Sequence, residues 1–268
     1  MQALICFVSD FGLDDTWVGV CHAVIHRACP QAHVVDMAHH IRPFDIRQGA
    51  AVATSSVHQV PDAIHLIVVD PGVGGGRRDV CVQAQSGTLL VGPDNGVLIP
   101  AARRQGGVAH AFVIDSSKVD FRSPLATFHA RDILAPVAAA LACGVDPGSL
   151  GDAVAPESLV AAPFEEACRE GDTVAAEVLD IDRFGSIRTN VAADQVETLG
   201  LKADVLELSI GHNTFLARTG LTFSDALDGE PVALVDSSGW LTLALNRASA
   251  ADRFRVKAGA SVRIKAAG

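Results

Sequence analysis

The chain has 268 residues, 49% of them hydrophobic, enough for a sizeable core in one large domain or two modest ones. Its 21 Lys and Arg against 31 Asp and Glu leave a formal charge of −10, so no basic field invites nucleic acid or an anionic lipid surface. No apolar run reaches the ~18 residues of a membrane span, and the start MQALICFVSDFG lacks a basic leader, so a soluble, cytoplasmic chain is expected.

The first half alternates short apolar runs with helical periods. Residues 3–8 read as a buried strand ending at Ser9-Asp10-Phe11-Gly12. Trp17, Val20, Cys21, Val24, Ile25 and Ala28 then recur at helical spacing, with Asp14, Asp15 or Thr16 available as N-cap and Pro30 past the end. A strand over 33–37, an Ala-rich helix over 46–57 and a strand over 64–69 follow, the last running into Asp70 and a glycine-rich loop. Further strands are expected near 80–83, 88–91 and 111–114, and a strongly periodic helix over 129–143 closed by Gly144. Apolar strands interleaved with helices argue for a mostly parallel sheet covered on both faces.

The character changes across 155–171, which carries Pro, Glu and Ala without a strand pattern. Beyond it, apolar runs at 173–181, 187–191, 205–210, 232–235, 240–245 and 261–265 are separated by turn residues, with Asp236-Ser237-Ser238-Gly239 as a hairpin turn. That half reads as antiparallel β, a small barrel or sandwich. The expected organisation is an α/β domain over 1–160 and an antiparallel β domain over 171–268.

Ligands of a parallel α/β sheet bind at the carboxyl ends of its strands, where Asp10 and Asp70 both fall. A carboxylate there can hold a ribose diol, ligate a metal, act as a base, or merely cap the next helix. The loop DPGVGGGRR resembles a phosphate cradle, but it lacks the P-loop spacing and leads into a strand. Its informative feature is Arg77, a cation beside Asp70. His129 opens a helix, where the macrodipole disfavours an imidazolium and keeps the ring able to accept a proton. Adjacent His39 and His40 cannot chelate together from a strand, and the six cysteines (Cys6, Cys21, Cys29, Cys81, Cys143, Cys168) contain no C-x-x-C pair. No metal or other cofactor is expected, and the cysteines are expected to be buried free thiols.

Six separated segments share a pattern. They are Ser9-Asp10-Phe11-Gly12-Leu13 with Asp15, Asp70-Pro71-Gly72-Val73-Gly74 with Arg77, and Pro93-Asp94-Asn95-Gly96. The others are Thr127-Phe128-His129-Ala130-Arg131-Asp132, Asp182-Arg183-Phe184-Gly185, and Ser237-Ser238-Gly239 with Asn246. In order and over nearly the whole chain, they resemble the S-adenosyl-L-methionine (SAM) hydrolases, or SAM hydroxide adenosyltransferases, relatives of the fluorinases and chlorinases.

The resemblance implies a Rossmann-like N-terminal α/β domain, a C-terminal β-barrel, and a homo-trimer with substrate between the N-terminal domain of one subunit and the C-terminal domain of its neighbour. It places a catalytic Asp–Arg–His triad on Asp70, Arg77 and His129 and the ribose ligand on Asp10. Phe44 would sit over the ribose and sulfur, Asp182 and Ser237 near the methionine, and Phe223 and Asn246 near the adenine. Phe184 and Ser186 complete the implied binding set. Ser186 stands where relatives carry an adenine-binding Asn, and Ser238 where halogenases anchor the methionine carboxylate with Arg. The implied reaction is hydrolysis of SAM to adenosine and L-methionine. The rivals are a halogenase, a SAM- or adenosine-binding regulator without turnover, and a metal-dependent hydrolase using Asp10, Asp14, Asp15 and His39. Against the halogenase, the chain has no tyrosine, Asp70 stands where halogenases carry one, and a carboxylate there would repel a halide. Val73 and Ala130 also replace hydroxyl-bearing residues of the halogenase halide pocket, and the fluorinase insertion is missing between Asp79 and Leu89.

Overall fold

A computed structural model describes residues 3–118, 127–211 and 213–267. The chain divides into two compact units, Met1–Phe164 and Glu165–Gly268.

The first unit is built on a seven-stranded sheet in the order β2-β1-β3-β5-β4-β6-β7. Its strands are β1 (Leu4–Ser9), β2 (His33–Ala38), β3 (Ile64–Val68), β4 (Asp79–Ala84), β5 (Leu89–Pro93), β6 (Val108–Ile114) and β7 (Gly151–Val154). Its helices are α1 (Trp17–Ala28), α2 (Ile46–Gln59), α3 (Ile99–Arg104) and α4 (Ala135–Ala142). Successive side chains of a strand face opposite ways, and both faces are used here. Ile5, Phe7 and Leu66 pack with Cys21 and Ile25 of α1 and Val137 of α4. Val8, Ile67 and Val69 pack with Ala50, Ala53 and Val57 of α2 and Ala101 of α3.

The parallel part of the sheet is β2, β1, β3 and β5. The other half, β4, β6 and β7, is antiparallel. The expected parallel character therefore holds for four strands only. Between β4 and β5 the chain has only residues 85–88, too short for the crossover a parallel pair needs, so the two close as a hairpin. The chain steps from β1 to β2 on one side and then to β3 on the other, which makes the β1/β3 boundary the topological switch point.

Some local expectations are corrected. Thr16 occupies the cap position of α1 but its side chain makes no capping bond. The helix expected over 129–143 is split into a π-helical turn, Ala130–Leu134, and α4. Pro136 in its first turn has no N–H for an i→i−4 bond, and the Ala135 N–H reaches back five residues to the Ala130 carbonyl. Finally, Cys29 and Cys143 are not free thiols but form a disulfide between the ends of α1 and α4. Spacing could not reveal a pair 114 residues apart. Cys6, Cys21 and Cys81 are buried thiols, and Cys168 is exposed.

The second unit is a β-barrel. Its strands are β8 (Cys168–Glu170), β9 (Thr173–Ile181), β10 (Ile187–Ala192), β11 (Val205–Ile210), β12 (Asn213–Thr219), β13 (Pro231–Val235), β14 (Trp240–Leu245) and β15 (Ser261–Ala266). Pairing of β9 with β10 closes seven of them into a ring, and β8 extends β9 outside it. All pairings are antiparallel except β12 with β13, which run parallel. Short helices α5 (Gln195–Thr198) and α6 (Ala250–Phe254) lie between strands. Leu206, Leu208, Leu243 and Ile264 fill the interior. β8 falls inside the stretch read as strandless, because its three residues are all exposed and carry no hydrophobic alternation.

Candidate active site

Asp10 follows β1 and Asp70 lies just beyond β3, on adjacent strands whose ends are in register at Ser9 and Val68. The loop after Asp10 turns at Gly12, whose φ of 69° suits glycine and whose N–H donates to the His39 carbonyl. Asn95 of the Pro93-Asp94-Asn95-Gly96 segment donates from Nδ2 to the Val69 carbonyl at 2.8 Å, holding the backbone beside Asp70. Arg78 turns the other way from Arg77 and bonds Asp94 through Nε at 2.8 Å. That pair is structural, since the other Asp94 oxygen accepts the Val160 N–H.

Arg77 lies in a carboxylate cluster. Its Nε donates to both Asp70 oxygens at 2.9 Å, and Nη2 donates to Asp70 Oδ2 at 2.5 Å. Nη2 is also 3.0 Å from His129 Nδ1. Asp70, Arg77 and His129, drawn from a strand end, a glycine-rich loop and the start of a helical turn, thus form one contact group. The Arg77 and Asp70 side chains are 10% and 6% exposed, so this is a nearly dry ion pair rather than a surface bridge. Burial acts against the Arg77 charge, but the bonds to Asp70 and the nearby carboxylates outweigh it and raise the guanidinium's pKa further.

A fourth residue, absent from the sequence reading, joins them. Asp79, the first residue of β4, lies with Oδ1 2.8 Å from Arg77 Nη1 and Oδ2 2.7 Å from His129 Nδ1. It reaches this rim because β4 runs antiparallel to β5, so its first residue sits opposite Pro93, the last of β5. The available signal was an Asp opening a largely apolar strand two residues after Arg77.

A cavity of about 370 Å³ opens on this cluster. Asp10, Phe44, Asp70 and His129 line it, together with Val73 and Ala130. Its apolar wall is an aromatic chain in which Phe11 meets Trp17 and Phe128 edge-on at 5.9 and 5.8 Å. Phe44 is 71% exposed and adopts φ 69°, and its N–H donates to Asp10 Oδ2 at 2.9 Å.

The barrel unit carries a second cavity of about 600 Å³, and there Phe184, Ser186, Phe223 and Asn246 come together. Asp182 builds the turn that presents two of them, its Oδ1 accepting the N–H groups of Phe184 and Ser186, both at 2.9 Å. Gly185 in that turn has φ 84°, and a Cβ there would run into Ser249. Asn246 spends its Nδ2 on the Ala226 carbonyl and Asp228. Ser237 is exposed in the turn between β13 and β14, a turn closed by Asp236 Oδ1, which accepts the Ser238 N–H at 2.9 Å. Neither Asp182 nor Ser237 lines this cavity.

The rival metal residues do not converge. Buried His39 bonds Ser9 through Nδ1 and lies near Asp36, while Asp14 and Asp15 are exposed. No group of three or more His, Cys, Asp or Glu is placed to hold a metal among the described residues. Burial pushes the Cys21 and Cys81 thiols up to about 12, which leaves them protonated and unreactive at neutral pH.

Two family descriptions match the chain. SAM hydroxide adenosyltransferase N-terminal domain matches residues 5–151, and SAM hydroxide adenosyltransferase C-terminal domain matches residues 176–263. The chain belongs to the SAM hydroxide adenosyltransferase family. It is 41% identical to the (R)-S-adenosyl-L-methionine hydrolase of Salinispora tropica over 98% of this chain and 97% of that one. A protein of the same name from Thermus thermophilus is 36% identical over 96% and 98%. The crystal structure of an uncharacterized conserved protein from Thermotoga maritima superposes with a TM-score of 0.89 at 34% identity, over 97% of this chain and 99% of that one. Relatives named fluorinase also match, at greater distance.

Proposed function

We propose that the protein hydrolyses SAM to adenosine and L-methionine by in-line attack of water on the ribose 5′ carbon. The observation that carries this reading is the buried contact of Asp70, Arg77 and His129 at the wall of the cavity that Asp10 also lines. A sulfonium already has a neutral thioether as leaving group, so the reaction needs no general acid and no cofactor. It needs a water held behind the carbon–sulfur bond and a group to take its proton. His129 supplies the acceptor, Arg77 offsets negative charge developing on the water oxygen, and Asp70 holds Arg77. Asp10 accepts from the ribose hydroxyls. The barrel residues Phe184, Ser186, Phe223 and Asn246 take the adenine, and Asp182 and Ser237 the methionine.

Halogenation is disfavoured by the same wall. Val73 and Ala130 line the cavity without a hydroxyl, and the Asp70 carboxylate beside them repels a halide. The active form is a homo-oligomer, a trimer, with residues of two chains serving each site, and the chain works in the cytoplasm. Incubation of pure protein with SAM in ¹⁸O-water is the test. Adenosine carrying the label on its 5′ oxygen is expected, with activity intact in chelator. A bound but unconverted SAM would make the protein a binding regulator instead. Mixing inactive His129→Ala and Asp182→Ala proteins tests the shared site, since hybrid oligomers should recover part of the activity.

A further inference from the structure

The carboxylate of Asp79 has no role in the triad just described, yet it lies closer to the His129 ring than either other member. We propose that Asp79 is the positioning residue of the reaction, holding His129 with its proton on Nδ1 so that Nε2 presents a lone pair to the attacking water. The proposal deepens the hydrolase reading and rests on it for the identity of the substrate.

The geometry sets two incompatible demands on one nitrogen. Both hydrogen bonds of the ring among the described residues fall on Nδ1, from Arg77 Nη2 at 3.0 Å and with Asp79 Oδ2 at 2.7 Å. A guanidinium only donates and an ionised carboxylate only accepts, so Nδ1 cannot satisfy both. If it accepts from Arg77, the proton sits on Nε2 and the ring can only donate to water. If it donates to Asp79, Nε2 is a base.

Two features decide for Asp79. Arg77 Nη2 has Asp70 as an acceptor whichever way the ring is protonated, whereas His129 Nδ1 is the hydrogen-bond partner found for Asp79 Oδ2 among the described residues. The Asp79 side chain is 7% exposed, and its Oδ1 is paired with Arg77 Nη1 at 2.8 Å, which leaves Oδ2 to the His129 ring. Without a proton donor from His129, Oδ2 would be a buried carboxylate oxygen with no hydrogen bond, although the Arg77 charge stays close to Oδ1. The second feature is charge. One guanidinium faces two carboxylates, Asp70 and Asp79, and Asp10 lines the same cavity. That surplus of negative charge suits a sulfonium substrate and the imidazolium that forms at His129, and it opposes a free hydroxide.

The step then balances. The water oxygen bonds to the 5′ carbon as the carbon–sulfur bond breaks, and its electron pair stays on sulfur, giving neutral methionine. The water proton passes to His129 Nε2. The resulting imidazolium is held by Asp79 until it releases the proton to solvent.

The test uses the full chain in three forms. In ¹⁵N-histidine-labelled protein, two-bond proton–nitrogen correlations of His129, assigned by their loss in His129→Gln, should show Nδ1–H in the neutral ring. Asp79→Asn, whose amide can donate to Nδ1, should shift the ring to Nε2–H and lower kcat by at least ~10²-fold with KM nearly unchanged. The acid limb of its residual kcat profile should move to lower pH, because the imidazolium has lost its counter-charge to Asp79 while Arg77, Asp70 and Asp10 remain. Asp79→Glu should restore part of the rate. An Nε2–H ring in the unaltered protein overturns the proposal, as does an Asp79→Asn protein within about twofold of normal kcat with an unmoved limb. The tautomer is read without substrate, so it still decides the role of Asp79 if the protein proves not to turn over SAM. It also decides if Asp79→Asn fails to fold.

Discussion

The backbone N–H of Phe44 donates to Asp10 Oδ2 at 2.9 Å, so the carboxylate at the end of β1 also holds the loop before α2. Phe44 sits there at φ 69°, a conformation uncommon for a bulky residue and kept only where the surroundings impose it. The contact engages Asp10 Oδ2 and not Oδ1, and both Asp10 and Phe44 line the cavity.

Asp10→Ala should therefore weaken adenosine binding in two ways. Loss of a charged acceptor is worth ~1.5–3 kcal/mol, about 10- to 150-fold in affinity. The Phe44 loop is released as well. Phe44→Gly separates the effects, since glycine keeps the N–H and accepts the positive φ while removing the ring. Calorimetry with adenosine should show a smaller loss for Phe44→Gly than for Asp10→Ala. Equal affinity for Asp10→Ala and the unaltered protein would make Asp10 a loop-holding residue only.

His129→Ala and Arg77→Ala should part company in a stability measurement. Both should lower kcat, His129→Ala by ~10²–10⁴-fold with SAM affinity retained. Only Arg77→Ala removes the cation between two buried carboxylates, a change that costs about 3–5 kcal/mol when a buried charge is left unpaired. Urea unfolding should show that deficit for Arg77→Ala and a smaller one for His129→Ala, which removes the hydrogen bond to Asp79 Oδ2 but leaves Arg77 between the two carboxylates. Arg77→Lys should recover stability in part but not rate, because a lysine cannot reach Asp70, Asp79 and His129 at once.

His65 predicts an acid-sensitive core. It is fully buried in β3, with Nε2 bonded to the Val60 carbonyl and Nδ1 to the Ser56 hydroxyl, and burial lowers its pKa to about 4. The unfolded chain protonates it near ~6.5, so between there and about 4 the unfolded state binds more protons. Its stabilising effect is complete above ~6.5 and is lost as pH falls toward about 4, amounting to about 3 kcal/mol. Urea unfolding of His65→Gln should show a shallower loss of stability between pH 7 and 4 than the unaltered protein. Equal slopes would contradict a neutral buried ring.

The Cys29–Cys143 bridge closes a loop of 114 residues and ties the ends of α1 and α4. Oxidised protein should yield a cross-linked peptide containing both cysteines, and reduction should lower stability by ~2–4 kcal/mol. Cys29→Ser should be as stable as the reduced protein and indifferent to reductant. Indifference of the unaltered protein would mean that the bridge adds nothing to the fold.

Much of this molecule is legible in its sequence because the governing interactions are local. The strands β9, β11 and β14 announce themselves over their full lengths by apolar runs between turn residues, and Ile64–Val68 does so by being apolar at every position but His65. Asp70 and Arg77 are one glycine loop apart, so their pairing follows from chain geometry alone. What the sequence could not supply is every relation made by strand order and helix packing. β12, whose Asn213–Thr219 alternates weakly, becomes a barrel strand by pairing antiparallel to β11 and parallel to β13. Cys29 meets Cys143 because α1 and α4 lie side by side on one face of the sheet. Asp79 meets His129 across 50 residues because β4 enters the sheet antiparallel beside β5, bringing its first residue to the rim where the parallel strands end. A local pattern fixes which residues a strand exposes, but only the assembled sheet determines which distant charge each of them faces.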